Sequence, residues 1–259
     1  MFSIATWNIN SIRVRLDHVL EWLSQQPVDV LALQETKSPD DVFPKEAFEA
    51  AGYHVCFSGQ RTYNGVALIS RTPIEKNVVT DFPDFDDPAR RILGANIHGC
   101  HILNLYVPNG AAVDSDKYQY KLGWLNGLQS YLEECRKQYE NIIILGDFNI
   151  APTDEDVHDP KRWEGNVLVS PKERDAFQQI LSLGFSDTYR LFEPSEVIYS
   201  WWDYRGGAFP RNHGLRIDHI LASDALKSRC KSCTIDSTPR AWERPSDHTP
   251  VIATFDLAK

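Results

Sequence analysis

Short apolar runs alternate along this chain with segments of helical periodicity. The most apolar run covers residues 142–145, and its β-branched and aliphatic side chains are typical of a buried strand. Apolar side chains recur every three or four positions in residues 12–23 and 117–138, which predicts amphipathic helices. The same patterns predict strands at 2–7, 28–33, 53–57, 65–70, 92–97, 100–107, 198–202, 215–222, 233–236 and 251–255, and helices at 39–51 and 172–183.

Strands and helices alternate without a flexible linker or a low-complexity segment, which favours one α/β domain over residues 1–259. Several strands follow one another without an intervening helix, so antiparallel neighbours are expected. A mixed sheet, or two stacked sheets flanked by helices, therefore fits better than an all-parallel sheet. Residues 73–88 and 152–170 lack a regular pattern and are predicted to be irregular.

Composition narrows the possible functions. The chain has 259 residues, 42% of them hydrophobic, and a net charge of -9, which argues against a non-specific DNA-coating protein but allows an enzyme with a locally basic face. Five cysteines, an odd number, and no recognisable signal peptide indicate a reducing cytoplasm. Cys230 and Cys233 form one C-x-x-C without a second pair, so no zinc or redox site is predicted there. No apolar run is long enough to span a membrane.

Polar side chains stand where the predicted strands end or begin. Side chains at the same end of neighbouring strands converge in space, so these residues are expected to form one site. Asp147 and Asn149 would also share one side of the chain if it stays extended. An Asx-type turn is the alternative for this pair, and each of the others alone could be a cap, a surface charge or a core tyrosine. The set comprises Asn8, Asn10, Glu35, Tyr106, Asp147, Asn149, Asp218, Asp247 and His248.

Oxygen ligands dominate this set, and they suit Mg²⁺ or Mn²⁺. Glu35 is the best candidate ligand, with Asn8 and Asp247 expected near it. A buried Asp218 needs a partner, and His248 is a good one because an aspartate can hold an imidazole in one tautomer.

The remaining groups suit proton transfer and phosphate binding. Asp147 can activate or orient a water, and Asn8 and Asn149 can donate to phosphate oxygens without adding negative charge. Together these groups predict metal-assisted hydrolysis of a phosphodiester.

The residues that carry this chemistry resemble a known family. The chain resembles exodeoxyribonuclease III and its apurinic/apyrimidinic endonuclease relatives, within the endonuclease/exonuclease/phosphatase superfamily. The GDFN and SDH motifs are shared across the superfamily, whereas QETK, SWWDYR and GLRID indicate its DNA-repair branch. The matching blocks, in family order, are WNIN (7–10), LQETK (33–37), NGVA (64–67), YVPNG (106–110), LGDFN (145–149), SWWDYR (200–205), GLRID (214–218) and PSDHTP (245–250).

The resemblance implies a four-layer α/β sandwich, with two packed mixed sheets between outer helices. It implies that Asp147 orients or deprotonates the attacking water, that Asn149 positions this water or the phosphate, and that Tyr106 stabilises the transition state. His248, paired with Asp218, would polarise the phosphate or assist proton transfer. The identity of the general base, and whether one metal or two act, stay open. The implied metal-binding residues are Asn8, Glu35, Asp147, Asn149, Asp247 and His248.

The resemblance also implies contacts with DNA. Trp201 with Leu215 resembles the family's apolar pocket for an extruded base-less sugar, which selects damaged sites because a missing base lowers the unstacking cost. Basic residues in candidate loops, among them Lys121, could neutralise phosphates. The DNA-binding candidates are Asn10, Lys37, Arg91, Asn109, Trp201, Arg205, Leu215 and Arg216.

The expected function is that of a monomeric Mg²⁺-dependent phosphodiesterase, with Mn²⁺ as a substitute. Its substrate would be duplex DNA with abasic sites or 3′ ends, on which it would act as 3′–5′ exonuclease, 3′-end trimming enzyme and class II abasic-site endonuclease. A phosphatase of the same superfamily acting on a lipid or inositol phosphate is one alternative, disfavoured by Trp201 and the GLRID block. A catalytically silent nucleic-acid-binding homologue is another, and it would predict substitutions among the catalytic residues that the sequence does not contain.

Overall fold

The computed structural model describes residues 1–75, 77–83, 85, 87–192 and 198–257. The strands are β1 (Phe2–Asn8), β2 (Val30–Gln34), β3 (His54–Ser58), β4 (Val66–Ser70), β5 (Ile92–Ile97), β6 (Cys100–Tyr106), β7 (Ile142–Asp147), β8 (Phe185–Asp187), β9 (Asp218–Ser223), β10 (Cys230–Ile235) and β11 (Val251–Phe255). The helices are α1 (Ile12–Gln25), α2 (Lys45–Ala50), α3 (Asp116–Gln138), α4 (Pro160–Trp163), α5 (Pro171–Ser182) and α6 (Asp224–Lys227).

Two mixed sheets pack face to face. The first sheet has the strand order β10-β11-β1-β2-β4-β3, and the second has the order β5-β6-β7-β9-β8. Two strand pairs, β1 with β2 and β6 with β7, are parallel, and the others are antiparallel. The prediction of two packed mixed sheets flanked by helices is confirmed.

Three apolar layers separate four layers of secondary structure. On β7, Ile143 and Leu145 face the cluster between the sheets, whereas Ile142 and Ile144 face the cluster under α3 and α5. The first sheet is also covered on both faces. Its outer face packs against α1 and α2, and Trp22 is one of the α1 side chains in this contact. Because both faces of each sheet are covered, the central strands are apolar throughout, which is why short apolar runs were good predictors here.

The two sheets are also joined by buried amides. Asn104 on β6 donates from Nδ2 to the carbonyl oxygens of Leu33 and Ala67, each at 2.9 Å, and these residues belong to β2 and β4. Gln34, the last residue of β2, donates from Nε2 to Asn104 Oδ1 at 2.7 Å. These bonds fix the ends of β2 and β6 relative to each other.

Several predicted elements differ in the structure. Residues 198–202 form no strand: Trp201 makes only isolated bridges, to Leu215 and His248. The strand predicted at 215–222 begins at Asp218, and the helix predicted at 39–51 divides into a 3₁₀ turn, Asp40–Val42, and α2, because Pro44 interrupts it. The short elements β8, α4 and α6 carry too little periodicity to be predicted.

Of the two segments predicted to be irregular, 73–88 agrees with the structure, whereas 152–170 contains a 3₁₀ turn, Asp154–Asp156, and α4. In the predicted loop 73–88 the described residues are irregular apart from a bridge at Val79, and residues 76, 84 and 86 lie outside the described residues. Cys230 and Cys233 are buried and free on β10. Among the described residues, none of the helices has both the length and the apolarity needed to cross a bilayer.

Gly146, the residue before Asp147, lies opposite Leu105 in the parallel pair of β6 and β7. Its φ is 144°, and a Cβ atom there would lie 1.9 Å from the carbonyl oxygen of Leu105. Any larger residue would therefore push the ends of β6 and β7 apart.

We expect Gly146→Ala to lower the free energy of unfolding by about 2–4 kcal/mol, because the added methyl group meets a backbone atom that cannot move aside. Gly52→Ala is the matched control: its φ is 87°, but no atom lies within 4 Å of the added Cβ. It should lose only about 1–2 kcal/mol. Urea unfolding measures both values. Equal losses would show that the close approach of residue 146 to Leu105 does not affect the free energy of unfolding.

Candidate active site

Asn8, the last residue of β1, joins the two sheets at the site. Its Nδ2 donates to Glu35 Oε1 at 2.8 Å and to Asp147 Oδ2 at 2.9 Å. Its Oδ1 accepts from the backbone N–H of Asn10 at 3.0 Å, which fixes the orientation of the amide. Asn8 therefore holds two carboxylates together in this structure, and its role as a metal ligand stays a prediction.

Glu35 follows β2 in a left-handed backbone conformation, with a φ of 50°. Such a conformation is costly for a glutamate, and it is held by the backbone N–H of Ser11, which donates to the carbonyl oxygen of Glu35 at 2.7 Å. Lys37 Nζ lies 3.0 Å from Glu35 Oε2 and donates to Asn10 Oδ1 at 2.6 Å. The carboxylate of Glu35 is thus fixed from both sides.

Asp147, Asp218 and His248 form the buried part of the site. Asp147 ends β7 and lies opposite Asp218, the first residue of β9. His248 Nδ1 lies 2.8 Å from Asp218 Oδ2, which confirms the predicted pairing, and its Nε2 lies 3.7 Å from Asp147 Oδ2. The exposed fractions of these residues are 1%, 0% and 4%, so their charges act on one another with little screening by water.

Burial raises the pKa of Asp147 to about 7, and the negative charges of Asp218 and Glu35 add to the rise while His248 opposes it. Burial alone would lower the pKa of His248, but the carboxylates of Asp218 and Asp147 raise it to about 10. At neutral pH His248 is therefore a cation that donates its Nδ1–H to Asp218. Its Nε2–H is directed towards Asp147.

Asn149 is bound on each of its polar groups. Its backbone N–H donates to Asp147 Oδ1 at 2.9 Å, its Nδ2 donates to the carbonyl oxygen of Val107 at 3.0 Å, and its Oδ1 accepts from Asn109 Nδ2 at 3.0 Å. Like Glu35, it has a left-handed backbone, with a φ of 50°. The loops after β6 and β7 are therefore joined by the amide pair of Asn109 and Asn149.

Tyr106 ends β6 beside the same carboxylates. Burial raises the pKa of Tyr106, and the negative charges of Glu35 and Asp147 raise it further, so its hydroxyl stays protonated. The guanidinium of Arg91 lies 4.7 Å from the centre of the Tyr106 ring and donates from Nη1 to its carbonyl oxygen at 3.2 Å. Tyr106 is thus a neutral hydrogen-bond donor held in place by a cation.

Asp247 binds neutral donors on both of its oxygens. Asn10 Nδ2 donates to Oδ1 at 3.0 Å, and Trp201 Nε1 donates to Oδ2 at 3.0 Å. Burial alone would raise the pKa of Asp247, but the positive charge of His248 and these two hydrogen bonds hold it below its usual value. Asp247 fixes Trp201 beside the site, and its role as a metal ligand stays a prediction.

Trp201 lines a cavity of about 530 Å³, with His158, Trp163, Arg205 and His213 among the other lining residues. The Trp201 and Trp163 rings meet edge to face, with 6.5 Å between their centroids.

Two predicted DNA contacts need correction. Leu215 exchanges backbone hydrogen bonds with Trp201 but is fully buried, so it supports the wall of the cavity and is not an exposed contact. Arg216 is also buried: its guanidinium donates to Asp156 Oδ1 at 2.7 Å and to Asp187 Oδ2 at 2.8 Å. Arg216 is therefore an interior ion-pair residue that ties the segment after β7 to β8, and it is not available to a phosphate.

The other expected DNA contacts are placed around the site. Lys37 and Asn10 border Glu35, Arg91 borders Tyr106, and Asn109 borders Asn149. The side chain of Arg205 is 92% exposed and pairs with Asp203.

Lys121 is predicted among the basic loop residues that could neutralise phosphates, and this prediction does not place it in the interior. In the structure its side chain is 0% exposed and paired with Glu173. The spacing of Tyr118, Lys121, Leu125 and Leu128 on α3 is the signal that could have placed it on the buried face of the helix.

The donor set fits a divalent cation. Glu35, Asp147 and His248 each offer one atom, and these atoms lie within 4.8 Å of one another, the only such group found within the described residues. Burial and then the negative charges of Asp218 and Glu35 raise the pKa of Asp147, and a hard cation would relieve the repulsion between these charges. Without a cation, the carboxylates of Asp218 and Asp147 raise the pKa of His248 despite its burial and favour the protonated form, whose Nε2–H is a hydrogen-bond donor.

Carboxylates, an imidazole and amides gathered at one edge of a two-sheet sandwich are the groups expected of a hydrolase. The profile of the Endonuclease/Exonuclease/phosphatase family matches residues 5–248, and the chain belongs to that family.

Individual relatives cover nearly the whole chain. Exodeoxyribonuclease III of Haemophilus influenzae is 36% identical in an alignment of 263 positions that covers 96% of this chain and 98% of that protein. A 3′ phosphatase (NExo) from Neisseria, bound to a product DNA hairpin, has a TM-score of 0.97 at 43% identity and covers 99% of this chain and 100% of its own. An AP endonuclease from Archaeoglobus fulgidus has a TM-score of 0.95 at 42% identity, with the same coverage.

The raised pKa of Asp147 predicts a pH-dependent stability in the absence of a divalent cation. Unfolded Asp147 loses its proton near its ordinary pKa of 3.8 and folded Asp147 near 7. The stabilisation by the bound proton is therefore complete below 3.8 and is lost as the pH rises through 7. Asp147→Asn cannot titrate, so in EDTA its Tm should gain a few degrees on the wild type between pH 5 and 8.

Asp175→Asn is the control, because Asp175 is exposed on α5. Its Tm should follow the wild type at every pH. A Tm difference between Asp147→Asn and the wild type that does not change with pH would show that Asp147 is ionised throughout this range.

Proposed function

We propose that this protein is a Mg²⁺-dependent DNA-repair phosphodiesterase acting on duplex DNA. Its activities would be 3′–5′ exonuclease, removal of 3′-phosphate and other blocked 3′ ends, and class II incision 5′ to abasic sites. The observation that carries the proposal is the convergence of Glu35, Asp147 and His248 at one sheet edge, with Asn8 between the two carboxylates. The likeness to an exodeoxyribonuclease, a DNA-bound 3′ phosphatase and an AP endonuclease supports DNA as the substrate.

In this proposal Asp147 accepts the proton of the attacking water. A carboxylate oxygen of Asp147 can act as a general base for this proton. Its carboxylate is held by Asn8 Nδ2 and the backbone N–H of Asn149, which fix the direction of attack. His248, a cation held by Asp218, cannot accept this proton at neutral pH and instead donates from Nε2 to a phosphate oxygen.

The reaction breaks one phosphorus–oxygen bond. Water adds to phosphorus and its proton passes to Asp147, the bond to the deoxyribose 3′ oxygen breaks, and this oxygen takes a proton from solvent. The products are a 3′ hydroxyl and a 5′ phosphate, or inorganic phosphate when the substrate is a 3′-phosphate. Tyr106 lies beside the carboxylates as a protonated phenol and donates to the oxygens that gain negative charge. Asn149, held by Asn109, positions the water or the phosphate.

Glu35 would hold the Mg²⁺, with Asp147 as the nearest second carboxylate. When bound, Mg²⁺ or a substituting Mn²⁺ would neutralise the phosphate charge and stabilise the transition state. Asn8, Asn149, Asp247 and His248 complete the predicted metal-binding set. Of these, Asn8 and Asp247 support the proposal indirectly, because they orient Glu35 and Trp201.

DNA recognition is proposed for the loops that border the site. The cavity beside Trp201 has an aromatic wall and exposed Arg205 at its edge, which suits a base-less sugar and a neighbouring phosphate. Lys37, Arg91, Asn10 and Asn109 border the carboxylates and would contact the DNA backbone near the cleaved bond. Leu215 would not touch the DNA but would hold Trp201 in place through their backbone hydrogen bonds.

We further propose that residues 1–259 act as a single domain and as a monomer in the cytoplasm. The five free cysteines support a reducing compartment.

The first test offers labelled duplexes that carry an abasic site, a 3′-phosphate or a recessed 3′ end. We expect Mg²⁺-dependent cleavage 5′ to the abasic site, release of the 3′-phosphate and shortening of the recessed end, all abolished by EDTA and restored by Mg²⁺ or Mn²⁺. Activity on none of these duplexes would contradict the proposal. Phosphate release from an inositol phosphate instead would favour the alternative activity.

The second test separates catalysis from binding. Asp147→Asn should lower kcat by about 10²–10⁴-fold, because an amide cannot accept the proton of water, while the Kd for abasic duplex stays within about threefold of wild type. Single-turnover cleavage and fluorescence anisotropy measure the two quantities, with exposed Asp175→Asn as the control. Parallel losses of binding and turnover would make Asp147 a structural residue.

A further inference from the structure

Lys121 and Glu173 form a buried ion pair next to the site that the proposed chemistry does not use. Lys121 lies on α3 and Glu173 in the first turn of α5, and both side chains are 0% exposed. Removing two charges from water is costly, and apolar side chains of similar volume often give an equally stable protein. Stability alone therefore gives no reason for a lysine and a glutamate in this position.

The lysine ammonium is bound to the two loops that carry the site amides. Lys121 Nζ donates to Glu173 Oε1, to the carbonyl oxygen of Asn149 at 2.6 Å and to that of Asn109 at 3.2 Å. An ammonium has three donors, so all of them are used. The side chains of the same two asparagines are joined by the bond from Asn109 Nδ2 to Asn149 Oδ1.

The glutamate holds the other end of this arrangement. Glu173 Oε1 accepts from the backbone N–H of Leu168 at 3.0 Å, and Oε2 accepts from that of Ser170 at 3.1 Å. Glu173 is thus fixed by the backbone before α5, and it fixes Lys121 in turn. The loops after β6 and β7 and the segment before α5 all meet at this one pair.

Asn149 depends on such support because of its backbone. Its φ of 50° is held on one side by the bond from its N–H to Asp147 and on the other by the bond from its carbonyl oxygen to Lys121. We infer that the Lys121–Glu173 pair is a positioning device that holds the Asn109–Asn149 amide pair in its working orientation. This inference rests on the proposed function, in which Asn149 positions the water or the phosphate.

The test uses the double variant Lys121→Met/Glu173→Gln, which removes both charges and leaves no unpaired ion in the interior. On abasic duplex its kcat should fall about ten- to a hundredfold, because small displacements of positioning groups have effects of this size. Its KM should stay within about twofold. A kcat within twofold of wild type would overturn the inference.

A matched pair on the same helix provides the control. Lys137 and Glu134 are also ion-paired, at 2.6 Å, but their side chains are 68% and 63% exposed. Lys137→Met/Glu134→Gln makes the same chemical change away from the loops, and its kcat should equal that of wild type. An equal fall in kcat in both double variants would overturn the inference.

A double-mutant cycle separates positioning from a general structural defect. If the ion pair acts through the amide pair, its removal should lower kcat by no more than about threefold in an Asn109→Ala background, because the coupling is already lost. Full additivity of the two effects would contradict the inference.

Hydrogen exchange in EDTA gives a readout without activity or metal. Backbone amides of residues 106–112 and 147–151 should exchange about tenfold faster in Lys121→Met/Glu173→Gln, while those of β2 should be unchanged. Faster exchange throughout the chain, or no change in the two segments, would overturn the inference. If wild type cleaves none of the duplexes, the proposed function fails, and the exchange result alone decides whether the pair holds the loops.

Discussion

The site depends on the bonds that lock the two sheets together beneath it. Asn104 on β6 donates to backbone carbonyls of β2 and β4, and Gln34 at the end of β2 donates to the side chain of Asn104. Buried amides of this kind are stable only when their partners are in place, so they permit one register between the sheets. Asn8 makes a second connection at the site, because it lies on one sheet and donates to Asp147 on the other. The carboxylates of the site are held in place by these two sets of bonds.

The bonds between the two sheets also maintain buried charges and strained backbone conformations that the site residues alone would not adopt. The carboxylates of Asp147 and Asp218 and the imidazolium of His248 lie together out of water, and Glu35 and Asn149 have left-handed backbones. Each such feature is destabilising in isolation, and a rigid apolar sandwich on both sides offsets it. The arrangement is thus prepared for added positive charge and for phosphate before either arrives, which is the usual condition for electrostatic catalysis.

Much of the fold and of the site could be predicted because both follow from local patterns. Strands covered on both faces read as apolar runs, and polar residues at their ends mark the edge where β1, β2, β6 and β7 finish. What could not be predicted depends on partners distant in the chain. Arg216 is buried by Asp156, 60 positions away, and Lys121 by Glu173, 52 positions away, so neither shows locally that its charge is compensated. Residues 198–202 look like a strand because aromatic side chains are common in strands, but Trp201 lines a cavity and Tyr199 and Trp202 pack in a separate apolar cluster.

The position of β11 has a consequence for how the enzyme comes into being on the ribosome. This strand lies between β10 and β1. The sheet that contains β1 is therefore complete only after β11 has been synthesised. His248 precedes β11 by three residues, and Asn8 ends β1. A partly synthesised chain can build the second sheet but has no fixed imidazole and no closed first sheet. The site is therefore complete only after β11 has been synthesised and paired with β1.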